Sequence, residues 1–211
     1  MPLPPAPFVY PILDAAGLAG RSAAAVAHAL FEAGARILQV RGKGLGDRAL
    51  CDLALEVVAA AKARGAIVIV NDRPDVARVA GADGVHVGQD DMAAVDVRRL
   101  LPRPALVGLS THHVAQVRSA PPGILDYIAI GPVFATQSKA YPDPVVGLEG
   151  VAAARAGTSL PLIAIGGITR ANAAWVIAAG ADGVAVVSEV MAAGDPGQAF
   201  RALAAALQSR P

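Results

Sequence analysis

The chain has 211 residues, a formal net charge of +1, and 55% hydrophobic but only 4% aromatic residues. This suits one domain with a large core of Ala, Val, Leu and Ile. Acids and bases are mixed without a basic tract or aromatic ladder, which argues against a nucleic-acid partner. No apolar run reaches the roughly 18 residues of a membrane helix, which argues against a membrane span.

Met1 to Pro7 is Pro-rich and lacks the basic and apolar regions of a secretory signal, so it reads as a flexible arm ahead of a domain over 8–211. Eight short apolar runs then follow. Phe8 to Leu13, Ala35 to Val40, Ala66 to Val70 and Gly84 to Val87 read as the first four strands. Ala105 to Leu109, Tyr127 to Ile130, Leu162 to Ile165 and Gly183 to Val187 read as the last four. The runs are continuous rather than alternating, as in strands buried on both faces.

Between the strands, helical spacing covers Arg21 to Ala33, Gly46 to Arg64, Ala93 to Leu101 and Arg170 to Ala179. A final helix is expected to start at Asp195 and Pro196, an N-cap followed by an N1 proline. Cys51 stands alone, so no intrachain disulfide can form. Its helical setting reads as a small buried hydrophobe, and a reducing cytoplasm is expected. His28 and Trp175 also have helical spacing and read as structural, Trp175 as a core residue. The phrase Gly-Ala-Asp-Gly-Val occurs at Gly81 to Val85 and Gly180 to Val184, each between a helix and a strand, where a left-handed glycine ends the helix.

Strands alternating with helices in a chain of this length predict a single-domain (βα)8 barrel, the TIM barrel. An open doubly wound sheet is the runner-up, but Asp14-Ala15-Ala16-Gly17 after the first strand is not its Gly-rich phosphate loop. Nearly every strand ends in residues able to bind phosphate or metal, and in a parallel barrel those ends share one face.

The second strand ends in Gln39-Val40-Arg41-Gly42-Lys43, and alternation points Gln39, Arg41 and Lys43 the same way, a clamp suited to polyphosphate. Ordinary surface charge at a solvated strand end is the competing reading. Asn71 and Asp72 end the third strand, while Gln89, Asp90 and Asp91 follow the fourth. Asp72 and Asp91, without His or Cys nearby in sequence, suggest hard oxygen ligation of Mg²⁺. The plainer alternatives are a salt bridge from Asp72 to Arg73 or another base, and an N-cap role for Asp90.

Ser110, Thr111 and His112 end the fifth strand. One of His112 and His113 is expected near the site, with the other against the helix layer, whereas His86 reads as a hydrogen-bonded core histidine. Thr136-Gln137-Ser138-Lys139 lies in a long polar stretch able to bind phosphate, and Ala140 to Val145 could make it a lid. A plain surface loop competes with that reading. Gly166 and Gly167 after the seventh strand, with Val187 and Ser188 after the eighth, suit the phosphate cradle common in such barrels.

Taken in order, these motifs resemble the thiamine phosphate synthase (thiamine-phosphate pyrophosphorylase) family over nearly the whole chain. The matching phrases are Gln39 to Lys43, Asn71 to Arg73, Gly84 to Asp91, Gly108 to His112, Asp126 to Phe134, Thr136 to Lys139 and Ala164 to Ile168. The resemblance implies a Mg²⁺-dependent transferase of thiamine biosynthesis. It joins 4-amino-2-methyl-5-hydroxymethylpyrimidine pyrophosphate to 4-methyl-5-hydroxyethylthiazole phosphate and releases pyrophosphate.

Carried over by motif, Gln39, Val40, Arg41, Gly42, Lys43, Asn71, Ser110 and Lys139 hold the pyrimidine substrate. Asp72 and Asp91 hold the metal. Thr136, Gln137, Ser138, Gly167, Val187 and Ser188 hold the thiazole phosphate. Arg41, Lys43, Ser110 and Lys139 are the expected catalytic groups. A homo-oligomer is left open. Ala135 and Ser138 depart from the family's common Pro and Thr, and Ser138 keeps the hydroxyl.

Three rivals differ in signature. The thiazole tautomerase relative carries a catalytic His where this chain has Pro132, and it tends to lack the complete Gln-x-Arg-x-Lys and Asn-Asp set. A non-catalytic binder of thiamine precursors would be expected to lose the carboxylates at Asp72 and Asp91. A sugar-phosphate isomerase needs an acid–base pair that the motifs do not offer.

Overall fold

The architecture is a closed parallel barrel, seen in a computed structural model that describes residues 2–121, 123–136 and 143–209. Its strands are β1 (Phe8–Asp14), β2 (Ile37–Arg41), β3 (Ile67–Asn71), β4 (Gly84–Val87), β5 (Leu106–Thr111), β6 (Tyr127–Ile130), β7 (Leu162–Ile165) and β8 (Gly183–Val186). They pair in chain order, and β1 closes on β8. The expected single-domain barrel is the one observed, with strand boundaries shifted by no more than two residues.

The helices form the outer layer: α1 (Ala23–Glu32), α2 (Asp47–Lys62), α3 (Pro74–Ala80), α4 (Ala94–Leu100), α5 (Val114–Arg118), α6 (Gly147–Gly157), α7 (Ala173–Ala178), α8 (Ser188–Met191) and α9 (Pro196–Leu207). The expected cap of the last helix is present, with Asp195 accepting from Gln198 N and Pro196 in the first turn. Both copies of the repeated phrase place glycine at a helix end with positive φ, 67° at Gly81 and 108° at Gly180.

Two apolar cores result. Alternate strand residues such as Val40, Val70, Val85 and Ile128 face outward and pack on Ala-rich helix faces. Inside the barrel, Phe8, Tyr10, Ile12, Ile37, Ile69, Tyr127 and Ile163 form a second cluster, with Leu3 packed against it. This double burial explains the unbroken apolar runs.

The two aspartates of the repeat, and Asp126 at the matching place before β6, have a role that turn chemistry alone did not suggest. Asp83, Asp126 and Asp182 directly precede β4, β6 and β8. Each carboxylate accepts a backbone N–H from the preceding odd strand: Val68 at 2.8 Å, Val107 at 2.7 Å and Leu162 at 2.8 Å. They stitch the barrel floor, opposite the mouth. Arg98 pairs with Asp126 at 2.5 Å, and Arg155 pairs with Asp182 at 2.8 Å.

Four helical expectations need correction. Trp175 is 52% exposed, because α7 is short and seats Ala173 and Val176 inward, leaving Trp175 on the outer side. His28 is exposed on α1, where Val26, Ala27 and Leu30 take the buried face. His113 is the exposed N-cap of α5 rather than a helix-layer residue. Cys51 is only half-buried, packed against the core edge.

The floor stitches carry a stability prediction. Asp126→Ala removes the partner of a mostly buried Arg98 and strands the Val107 N–H, so it should destabilise the fold by about 3 kcal/mol. Urea unfolding of the two proteins reads this directly.

Candidate active site

At the C-terminal mouth of the barrel, two hollows join. The larger, about 540 Å³, carries its polar lining on β1 to β5 and their loops, including Asp14, Gln39, Arg41, Asn71, Asp72 and Asp91, and is completed by apolar residues of β6 to β8 such as Ala129, Ile163 and Ala185. The smaller, about 120 Å³, lies over β6 to β8 and is lined by Pro132, Thr136, Ile165, Gly167, Val187 and Ser188 among others. Ser110, Ala129, Ile165, Ala185 and Val187 are among the residues that line both, so the two spaces share a wall along β5 to β8.

The larger hollow is a field of opposed charges. The Arg41 guanidinium bonds the Asp14 carboxylate, which also caps the turn at Ala15–Gly17 by accepting from Ala16 N at 3.1 Å. Lys43 Nζ stands 3.4 Å from Asp72. Arg73 points away and binds Asp47 and Asp75 instead, so the base that meets Asp72 is Lys43. Asp90 lines the hollow and does not cap α4, whose N-cap is Ala93.

Asp72 and Asp91 lie side by side. Burial raises the Asp72 carboxyl above its ordinary range, the adjoining Asp91 raises it further, and Lys43 opposes both effects. Asp91 is held by the Gly88 N–H at 2.7 Å. Asp72 adopts φ of 62°, a left-handed conformation uncommon outside glycine and favoured by Asp and Asn among the rest. Its N–H is tied to His86 O at 2.8 Å, which holds this bent strand end in place. Two carboxylates forced together, with Asn71 and Gln89 on the same wall, form a hard-oxygen set that suits a divalent cation.

Beneath this field runs a buried row of hydrogen bonds. Gln39 Nε2 donates to Tyr10 Oη at 3.1 Å, and the Tyr10 and Tyr127 hydroxyls bond at 3.1 Å. Tyr127 Oη meets His86 Nδ1 at 3.1 Å, while His86 Nε2 meets Ser110 Oγ at 2.8 Å. The rings of His86 and Tyr127 stack with centroids 5.4 Å apart.

Register assembles the row. Asn71 pairs with His86, His86 with Gly108, and Gly108 with Tyr127. Gly108 is required by space, since a Cβ there would stand 2.1 Å from Tyr127 Cζ. Burial pushes both phenols well above their ordinary pKa, and it pushes His86 down to about 4, against a smaller opposing pull from Asp91. His86 is thus a neutral, hydrogen-bonded core histidine, as expected, and it also touches the site through Ser110.

The smaller hollow is walled by backbone. Gly166 and Gly167 turn there with φ of 100° and 63°. A Cβ on Gly167 would come within 2.6 Å of Ala135 O, and one on Gly166 within 2.5 Å of Pro132. Only glycine lets these segments close so tightly. Val187 and Ser188 stand where β8 passes into α8. His112, the histidine of its pair that reaches the mouth, places Nδ1 2.8 Å from Gly131 O and 3.4 Å from Asp143.

Most of the strand-end residues expected to act together are brought together, and among the described ones Val40 and Gly42 line neither hollow. Gln39, Arg41, Lys43, Asn71, Asp72, Asp91 and Ser110 line the larger hollow, and Thr136, Gly167, Val187 and Ser188 line the smaller. Val40 does not: its side chain is buried among the helices, because alternation turns it away from Gln39 and Arg41. Gly42 packs against Leu45 and Leu50 at the start of α2. Gln137, Ser138 and Lys139 lie outside the described residues. Sequence reasoning missed Asp14, Tyr10 and Tyr127. Asp14 had a signal, a carboxylate ending an apolar strand. The tyrosines had none, since each sits inside an apolar run.

The neutral His86 gives a pH prediction. Unfolded, it takes up a proton near its ordinary pKa of 6.5, but folded only near 4. Its contribution to stability should hold above pH 6.5, decline as pH falls from there, and level off below pH 4. The slope is at most about 1.4 kcal/mol per pH unit. Urea unfolding of the wild-type protein and His86→Gln between pH 7 and 4.5 should show the steeper loss in the wild type.

Comparison with known proteins accords with this site. The chain is 45% identical over 183 residues to the thiamine-phosphate synthase of Methanoregula boonei, covering 87% of this chain and 85% of that one. It is 45% identical over 197 residues to the thiamine-phosphate synthase of Chloroflexus aurantiacus, covering 93% and 91%. The solved thiamine phosphate pyrophosphorylase from Pyrococcus furiosus matches with a TM-score of 0.85 and 29% identity, covering 95% of both chains. Residues 9–190 match the family model TMP-TENI, thiamine monophosphate synthase. By sequence and fold, the chain belongs to the thiamine monophosphate synthase family.

Proposed function

We propose that the chain condenses the pyrimidine pyrophosphate with the thiazole phosphate to form thiamine phosphate and pyrophosphate. The observation that carries this reading is the pair of joined hollows. One is large and charged, the other small and backbone-walled, and they share a wall that includes Ser110. Two phosphorylated substrates that react ring to ring need such an arrangement. The catalytic barrel spans residues 8–211, with 1–7 an arm that precedes it.

In this reading Gln39, Asn71 and Ser110 hold the pyrimidine ring, and Arg41, Lys43 and Lys139 face its pyrophosphate. The thiazole phosphate is held by Gly167, Val187 and Ser188 together with Thr136, Gln137 and Ser138. The ring nitrogen of the thiazole bonds to the pyrimidine methylene, and the methylene–oxygen bond to pyrophosphate breaks.

The aminopyrimidine can spread positive charge from that carbon, so the residues mainly stabilise the departing pyrophosphate and hold the nitrogen in line. No proton transfer is demanded of a side chain. Asp72 and Asp91 would hold Mg²⁺, which supplies charge to the leaving group when bound. Their enforced proximity supports that role.

The tautomerase alternative finds no support at the small hollow, where Pro132 stands in place of a catalytic histidine. Among the described residues no helix is long and apolar enough to cross a membrane. We place the reaction in the cytoplasm, on small-molecule substrates.

The test is to mix the protein with both substrates and Mg²⁺. Thiamine phosphate and pyrophosphate should appear in equal amounts, and EDTA should abolish both. Saturable thiazole phosphate binding without product would refute the synthase reading. A charge-assisted contact contributes about 1.5–3 kcal/mol, so Lys139→Ala should slow the reaction roughly ten- to a hundred-fold or more. A near-wild-type rate would remove Lys139 from the chemistry.

A further inference from the structure

The buried row Gln39–Tyr10–Tyr127–His86–Ser110 has a direction, and that direction bears on what the site accepts. Gln39 spends an Nε2 hydrogen on Tyr10. A phenol has one hydrogen, and the partner left for that of Tyr10 is the Tyr127 hydroxyl. Tyr127 must then donate to His86 Nδ1. A neutral imidazole that accepts at Nδ1 carries its proton on Nε2, so it donates to Ser110 Oγ. The Ser110 hydrogen is left for the hollow that Ser110 lines, and at the far end Gln39 is left with Oε1 as its acceptor and one remaining Nε2 hydrogen.

Reversing any one link alone would leave a hydroxyl or imidazole hydrogen without an acceptor inside the barrel, at a cost of about 1–3 kcal/mol. No buried side-chain nitrogen or oxygen among the described residues lacks a hydrogen-bond partner. The opposite direction requires all five groups to turn together, with the Gln39 amide flipped.

We propose that this row is a positioning device that presents Gln39 as an acceptor and Ser110 as a donor, and so selects an aminopyrimidine over its oxo counterpart. This rests on the reading of the larger hollow as the pyrimidine site. An aminopyrimidine offers a donor in its amino group and acceptors in its ring nitrogens. Exchanging the amino group for an oxo group turns the donor into an acceptor and protonates a neighbouring ring nitrogen, which inverts the pattern. Against a fixed Gln39 Oε1 the oxo form meets oxygen with oxygen. To bind it well, the protein must turn the whole row. Tyr10, Tyr127 and His86 act through Gln39 and Ser110 and are positioning residues.

Two measurements test this. The first reads the His86 tautomer in the free wild-type protein by long-range proton–nitrogen NMR. Protonated Nε2 with bare Nδ1 is expected, and the opposite tautomer overturns the proposal without any substrate. The second is calorimetric binding of the 4-amino pyrimidine pyrophosphate and its 4-oxo analogue to wild type and Tyr10→Phe.

Tyr10→Phe keeps the ring but frees the Gln39 amide to rotate. Wild type should prefer the amino form by about a hundred-fold or more, and Tyr10→Phe should shrink the ratio about ten-fold, chiefly by gaining affinity for the oxo form. An unchanged ratio overturns the inference while leaving the pyrimidine site intact. Failure of wild type to bind either compound refutes the site reading itself, and the selectivity falls with it. If Tyr10→Phe does not fold, the wild-type tautomer still decides.

Discussion

An apolar barrel interior accepts a polar side chain only if its hydrogen-bonding atoms find partners, and here that requirement is met by a single row crossing the barrel. Tyr10 and Tyr127 carry it through the middle of a cluster otherwise made of Ile, Leu and Phe. Gln39 and Ser110 end it at the larger hollow. The row has no slack. Gly108 exists to admit Tyr127, and the His86 imidazole stays neutral because burial penalises its charged form more than Asp91 favours it.

Above that row, the mouth works by opposition of charge. Arg41 answers Asp14, and Lys43 answers Asp72. Asp91 stands close enough to Asp72 to raise its carboxyl. The backbone support of this pair is specific. The left-handed Asp72 is tied to His86 O, so the paired carboxylates and the buried row are joined through the ends of β3 and β4. The smaller hollow uses backbone approach in place of charge, with Gly166 and Gly167 turning where no side chain would fit.

The floor of the barrel does different work. Asp83, Asp126 and Asp182 clamp alternate strands by their backbone, at the end where no ligand enters. Stability is thereby concentrated at one end and chemistry at the other, as barrel geometry allows. The mouth can hold strained and crowded groups because the floor does not depend on them.

The sequence by itself determined the barrel, its strand order and which residues gather at the mouth. Continuous apolar runs, glycine helix ends and polar strand termini are local signals, and the β2 alternation already separated Gln39 and Arg41 from Val40. It did not reveal that Trp175 would face out from a short α7, or that Asp14 would meet Arg41. Nor did it reveal the buried row. Tyr10 and Tyr127 are 117 positions apart, each hidden in an apolar strand, and no spacing rule links them. Only closure of the barrel with its particular register brings their hydroxyls together, because the pairing of His86 with Gly108 and of Gly108 with Tyr127 is set by strand stagger, a property of the whole sheet rather than of any one segment.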